Sequence, residues 1–325
     1  MTVTTPRSPE PVRYSLVVPV YGNERSLPEL LDRLAALVPE MEGALEVIFV
    51  IDDSPDASAE LLAKALERQP FVARLVLHSR NFGSFAAIRT GLSRASGRFS
   101  GVMAADLQEP PELMLECFRA LDAGRADIVV GVRRNRADPA LSALAARMFW
   151  AFYRRLVQRE MPAGGFDVFA CNDAFRRHLL ELDEAHSSLV AQAVWLGFRR
   201  EAIEYDRKPR ERGHGHSGWT LRKRFKYLSD SIFSFTDLPI RMLLVAGCVG
   251  VVVSLALAFV VVAARVTGSI DVPGYAATIV VIAFFAALNL AGLGIIGAYV
   301  WRAFENTKGR PGAVVMSERV FERAD

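Results

Sequence analysis

The chain has 325 residues, 51% of them hydrophobic, with 39 Lys and Arg against 36 Asp and Glu for a formal net charge of +3. That length carries one sizeable globular domain and something more, and the near-balanced charge excludes the strongly basic field of a nucleic-acid binder. The three cysteines, Cys117, Cys171 and Cys248, have no CxxC or Cys/His spacing and read as reduced thiols of a mainly cytoplasmic protein.

Residues 1–12, beginning "MTVTTPRSPEP", lack the apolar stretch of a signal peptide and read as a flexible tail. From residue 13 to 216, short apolar runs alternate with helix-period segments. "YSLVVPV", "EVIFVID", "ARLVLHS", "GRFSGVMAA" and "DIVVGV" are the predicted strands. Between them Leu27 to Val38, Ala57 to Arg68, Phe85 to Ser96 and Pro111 to Ala123 repeat apolar residues at spacings of three and four, which predicts helices. This alternation predicts an α/β domain with a mainly parallel sheet covered by helices on both faces and its ligand at the C-terminal strand ends. Those ends carry "VYGNE", "DDSPDAS", "ADLQEPPE" and "RRNRAD". No GxGxxG or GxxxxGK[ST] follows any of them, so phosphates must be held otherwise, and a carboxylate-bound Mg²⁺ or Mn²⁺ is the natural substitute. Ala140 to Gln158 is a basic, aromatic helix with two readings, a core helix with a solvated basic face or an arginine-bearing element near a membrane.

A further strand, "FRREAIEY", and the loop "RKPRERGHGHSGW" lead to residues 217–237. There Leu221, Phe225, Leu228, Ile232 and Phe235 share one side and a basic cluster the other, the pattern of an interfacial juxtamembrane helix. Residues 238–264 and 276–301 are nearly uncharged, and each reaches the roughly 20 residues that cross a hydrocarbon core. Between them, 265–275 reads as an external loop, and 302–325 as a C-terminal tail. Arg222, Lys223, Arg224 and Lys226 precede the first run, and Arg302, Lys308 and Arg310 follow the second. The positive-inside rule then predicts an integral inner-membrane protein with its large domain and both termini in the cytoplasm. The alternative is a buried helix hairpin of a soluble protein. Gly247, Gly250, Gly292 and Gly297 would let spans pack closely within or between chains, which leaves homo-oligomers open.

In this order, "VVPVYGNE", "VIDDSPDAS", "RNFGSFAAIRTGL", "ADLQEPPEL", "GVRRNR" and "RGHGHSGW", then two spans and "KGRPG", resemble glycosyltransferase family 2. More narrowly they resemble the polyprenyl-phosphate sugar transferases, which include dolichol-phosphate mannose synthases and bactoprenol glucosyltransferases. The resemblance implies a GT-A nucleotide-sugar domain, a divalent cation, and inverting transfer of a sugar from a UDP or GDP donor to a polyprenyl phosphate at the inner leaflet. It further implies donor contacts from Pro19, Tyr21, Glu24, Asp52, Asp53, Ala105, Asp106, Gln108, Arg212 and Ser217, with Asp106 and Gln108 at the metal. Taken as structure alone, Asp52 and Asp53 would be a helix cap and a turn acid.

Three positions depart from the family's pattern. Ala104 stands where "DADLQ" has its first acid, Gly218 where "RxxGxSK" has lysine, and Phe169 where relatives carry arginine. Glu109 then reads either as a compensating carboxylate or as a first-turn helix acid, and His214 and His216 as extra donors or idle loop residues. Asp167 is retained for orienting a substrate sugar. Two polyanions must meet in this reaction, so the leaving diphosphate is assigned to the Asp106-held metal and Arg212, and the lipid phosphate to Arg133, Arg136 and Arg147. A rival reading is a nucleotide-sugar-binding or scaffolding membrane protein whose chemistry has decayed. A processive polysaccharide synthase is disfavoured because QxxRW does not occur.

Overall fold

The computed structural model describes residues 12–42, 44–134, 150–151, 153–155, 157–162, 165–184, 187–207, 229–267 and 275–324. The chain divides into one unit made of residues 1–224 with 311–325, and a second made of 225–310.

In the first unit the chain order is β1 (Tyr14–Val20), α1 (Leu27–Leu37), β2 (Leu45–Ile51), α2 (Ser58–Ala65), β3 (Val72–His78), α3 (Ser84–Arg94), β4 (Phe99–Val102) and α4 (Glu112–Asp122). Then come β5 (Ile128–Arg133), β6 (Val168–Asn172), α5 (Asp173–Glu181), α6 (Leu189–Trp195) and β7 (Arg200–Tyr205). All seven residues of β2 are buried, as a strand covered on both faces must be. In α1, Leu27, Leu30, Leu31, Leu34 and Leu37 form one buried stripe, with proline in the first turn where no donor is lost. Gly91 on α3 has a packing reason, because a Cβ there would lie 2.2 Å from Val17 Cγ1 on β1.

The sheet order is β7-β5-β6-β4-β1-β2-β3-β8, where β8 is Val315–Phe321. The pairs β1–β2, β1–β4, β2–β3 and β5–β7 are parallel, while β4–β6, β5–β6 and β3–β8 are antiparallel. This is the expected mainly parallel α/β sheet with antiparallel insertions. Strand order reverses at β1 and β4, so a crevice opens beyond their carboxyl ends. Phe49, Phe71 and Phe118 are fully enclosed in the core, where each such ring contributes about 2–3 kcal/mol of apolar burial.

Two strands lie outside the predicted set. Strand β6 occupies "VFACN", and β8 occupies part of the segment expected as a tail after residue 301. The preceding helix also runs on to Thr307. Strand β8 is held by main-chain pairing with β3 and by Glu318, which accepts from Arg94 Nε at 3.0 Å and pairs with Arg74 at 3.4 Å.

In the second unit, residues 229–235 are helical, followed by α7 (Leu238–Val266) and α8 (Tyr275–Thr307). Both long helices contain stretches long and apolar enough to cross a membrane, Leu238–Ala264 with mean hydropathy 2.8 and Phe284–Thr307 with 1.7. Their apolar side chains, such as Leu244, Val252, Phe259 and Leu290, face outward, opposite to a soluble core helix. At one end Arg302 pairs with Asp230 at 2.8 Å and lies over the Phe233 ring, and Tyr299 Oη donates to Thr236 O at 3.3 Å. Residues 217–228 of the expected juxtamembrane helix, and most of Ala140 to Gln158, lie outside the described residues.

Candidate active site

The loops that follow β1 and β2 are tied together before any ligand arrives. Gly22 N donates to Ser54 Oγ at 2.8 Å, Glu24 N to Asp56 Oδ2 at 2.9 Å, and Ala57 N to Glu24 Oε2 at 3.2 Å. Burial presses upward on the Asp56 carboxyl, but donors from Ser54, Ser58 and Glu24 hold it below its ordinary range. Pro19 is the penultimate residue of β1, Tyr21 projects with 55% of its surface exposed, and Asp53 is exposed in a left-handed turn with φ of 53°. These four sequence-predicted donor residues, Pro19, Tyr21, Glu24 and Asp53, therefore gather at one strand edge.

Asp52 behaves differently from the expectation of a donor contact. It is 3% exposed, and its oxygens accept from Phe82 N at 2.8 Å, Gly83 N at 2.7 Å and His78 Nδ1 at 2.8 Å. Burial would raise this carboxyl, yet those donors keep it below its usual value. Nor do Asp52 and Asp53 cap α2, whose N-cap is Ala57 with no side-chain bond. The acid that accepts from the start of α2 is Asp56, through Ser58 N at 3.2 Å.

Beyond β4, Ala105 O accepts from Ser26 Oγ at 2.7 Å, which fastens this loop to the start of α1. Asp106 is half-buried and accepts from Gln108 N at 3.3 Å across Leu107, a leucine at φ 55°. A left-handed leucine is costly, and such strain clusters where a loop has a task. Gln108 Oε1 accepts from Arg207 Nη2 at 2.6 Å, and Arg207 Nε lies 3.3 Å from Glu109 Oε1. Glu109 is 1% exposed and lies three residues before α4 begins at Glu112, which is that helix's first-turn acid, so Glu109 is neither a first-turn acid nor open to solvent. Burial pushes its carboxyl up, Asp106 adds to this, and Arg207 and Arg133 oppose it. Among the described residues no group of three or more His, Cys, Asp or Glu is arranged to hold a metal ion.

On the far side, Arg133 at the end of β5 pairs with Asp167 just before β6. Phe169 is a core residue, packed edge-on against Phe166 and paired across strands with Val102 and Val130. Arg136, Arg147, Arg212, His214, His216, Ser217 and Gly218 lie outside the described residues. Sequence reasoning missed Arg207 and His78. Arg207 sits two residues past a predicted strand, a position that singles it out only once β7 is known to neighbour β5.

The family model of Glycosyl transferase family 2 matches residues 15–182. An uncharacterized glycosyltransferase of Synechocystis is 31% identical over 92% of this chain and 93% of its own length. The YkcC glycosyltransferase of Bacillus subtilis, likewise uncharacterized, is 30% identical over 96% and 95%. An undecaprenyl-phosphate 4-deoxy-4-formamido-L-arabinose transferase of Serratia proteamaculans is 31% identical over 93% of both chains.

Proposed function

Because the chain belongs to glycosyl transferase family 2 and is an enzyme of the glycosyltransferase class, we propose that it moves a sugar from a UDP or GDP donor to the phosphate of a polyprenyl phosphate. The observation that carries this reading is the extent of the match to the Serratia transferase, 93% of both chains, so it runs through the apolar helices as well as the sheet. The product is a lipid-linked monosaccharide for cell-envelope glycans. Transfer takes place at the inner leaflet, with both termini cytoplasmic. Support for an even number of crossings comes from β8, since the chain returns after α8 to the sheet it left before α7, and support for the cytoplasmic side comes from the basic residues that flank the two apolar runs.

A phosphate monoester has its second ionisation near about 6, so the acceptor is already a competent nucleophile and needs no strong general base. The protein's task is to align two anions and stabilise the departing diphosphate. Half-buried Asp106, in the loop after β4, whose neighbour β1 leads to Tyr21, suits a Mg²⁺ or Mn²⁺ ion that arrives with the donor, because such ions take one or two carboxylates plus phosphate oxygens. When bound, the ion neutralises charge on the leaving diphosphate. Gln108 would join it through the second lone pair of a carbonyl oxygen that already accepts from Arg207. Pro19, Tyr21, Glu24, Asp53 and Ala105 line the nucleoside side, and Arg212 and Ser217 are assigned to the donor, Arg212 to its diphosphate. Arg133 takes the lipid phosphate by exchanging Asp167 for it, with Arg136 and Arg147 alongside, and Asp167 is thereby freed to accept from a sugar hydroxyl.

Ala104, where a second carboxylate is absent, favours a second reading, a donor-binding scaffold that no longer turns over. Nucleoside diphosphate release from a panel of UDP- and GDP-sugars, with and without polyprenyl phosphate, separates the two. Release that requires the lipid supports the transferase, and donor binding without release under any condition supports the scaffold.

A further inference from the structure

Behind the donor edge lies a buried chain of polar groups that the reaction does not require. His78, the last residue of β3, is 2% exposed. Its Nδ1 donates to Asp52 Oδ1 at 2.8 Å, and its Nε2 lies 2.9 Å from Thr90 Oγ1 on α3. Asp52 in turn accepts from the main-chain N–H of Phe82 and Gly83, and its own carbonyl accepts from Asn81 Nδ2 at 3.2 Å. Gly83 has φ of 97°, open to glycine and strained for other residues, and α3 starts at the next residue. The carboxylate thus sits at a helix N-terminus, where its charge is favoured.

Burying an imidazole and a carboxylate is unfavourable unless every hydrogen bond is made, and an apolar side chain at position 78 would fill the same space without that demand. What the polar version adds is one fixed path for residues 79–83. That loop exposes Arg80 and Asn81 beside the Asp53 turn, with the Arg80 guanidinium 4.0 Å from the Phe82 ring centroid.

We propose that His78 and Thr90 are positioning residues for donor recognition, acting through Asp52 to hold the 79–83 loop in its ligand-ready path. This rests on the donor reading given above, but not on the identity of the acceptor. Thr90 orients the imidazole, the imidazole orients the carboxylate, and the carboxylate fixes two backbone amides. None of the three side chains touches the donor.

The test uses full-length protein in detergent, with UDP and GDP as probes, and needs no turnover. His78→Leu should weaken binding of the preferred nucleotide about tenfold, a usual loss when a supporting hydrogen-bond partner is removed. Polyprenyl-phosphate affinity should stay within about twofold, and hydrogen exchange at Phe82 and Gly83 should accelerate. Thr90→Val, which keeps shape and removes only the hydroxyl, should give about a threefold loss. His78→Asn, whose amide can donate from nearly the Nδ1 position, should recover most of the affinity. Unchanged nucleotide affinity in both His78→Leu and Thr90→Val overturns the proposal, as does equal weakening of nucleotide and lipid. A wild-type protein that binds neither nucleotide overturns the donor reading and this proposal with it, whereas one that binds nucleotide but transfers nothing to lipid overturns only the acceptor assignment.

Discussion

Arg207 Nη2 donates to Gln108 Oε1 at 2.6 Å while its Nε stands 3.3 Å from the buried Glu109 carboxylate, so one guanidinium from the end of β7 fixes both residues that follow Asp106. Removing it leaves a carboxyl that is 1% exposed without its ion-pair partner. Arg207→Ala should lower transfer by about ten- to a hundredfold, the range for a residue that supports a ligand-bearing loop. Arg207→Lys should recover little, because a lysine cannot reach two acceptors with a planar fork. Steady-state assays with the donor varied measure this, and a wild-type rate in Arg207→Ala contradicts the linkage.

Ala104 offers a gain-of-function prediction. A second carboxylate near Asp106 adds charge for a hard cation, so Ala104→Asp should tighten Mn²⁺ binding about tenfold. Calorimetric titration in the presence of the preferred nucleoside diphosphate reads this directly. Unchanged affinity would mean that position 104 does not face the ion.

Strand β8 follows both apolar helices in sequence, yet it completes the first unit at the open edge of β3. Phe321 is partly buried against the core, and Phe321→Ala should cost about 2 kcal/mol, seen as a fall in Tm of about 5 °C. Met316, which is exposed, should tolerate lysine with a change below about 1 °C. Equal effects at the two positions would show that β8 does not pack as described.

Glu46 supplies a pH dependence. Its side chain is fully buried and accepts from Arg74 Nε at 2.7 Å, Ser15 Oγ at 2.7 Å and Ser96 Oγ at 2.9 Å. Burial would raise this carboxyl, but those donors hold it below the ordinary value of 4.5. A depressed folded value means that the stabilisation is present above the ordinary value and is lost as pH falls through the lowered one. Asp52, also depressed, acts in the same direction. Melting temperatures taken from pH about 6 down to about 3 should fall, and Glu46→Gln should start lower and fall less steeply. A parallel curve for that variant would remove Glu46 from the explanation.

Much of this was readable in the residues. The Val- and Ile-rich runs ending at Val20 and Ile51 are buried strands with parallel neighbours, and burial on both faces is what makes such runs conspicuous. Strand β8 was hidden because "VMSERVF" carries Glu318 and Arg319, the charges an edge strand tolerates, and because its partner lies about 240 residues earlier. Strand β6 was hidden by its length of five residues and its place inside a segment read for substrate contacts. At the site, the acids at the strand ends are conspicuous in the sequence, but spacing alone leaves Asp52 and Asp53 open between ligand contacts and a helix cap and turn acid. Asp52 turns inward because His78 and two amides claim its oxygens, a relationship that spacing along the chain does not encode. Arg207 was passed over for the same reason, since its partners Gln108 and Glu109 come together only through β5 and β7 pairing.

The most direct measurement is mass spectrometry of the lipid made by full-length protein in vesicles containing polyprenyl phosphate, supplied with UDP- and GDP-sugars and Mg²⁺ or Mn²⁺. The account predicts one sugar joined to the lipid phosphate with inverted anomeric configuration, formed only with the cation. Asp106→Asn, still folded, should reduce its yield at least about a hundredfold. A sugar-free lipid with every donor, or an Asp106→Asn yield equal to wild type, would contradict it.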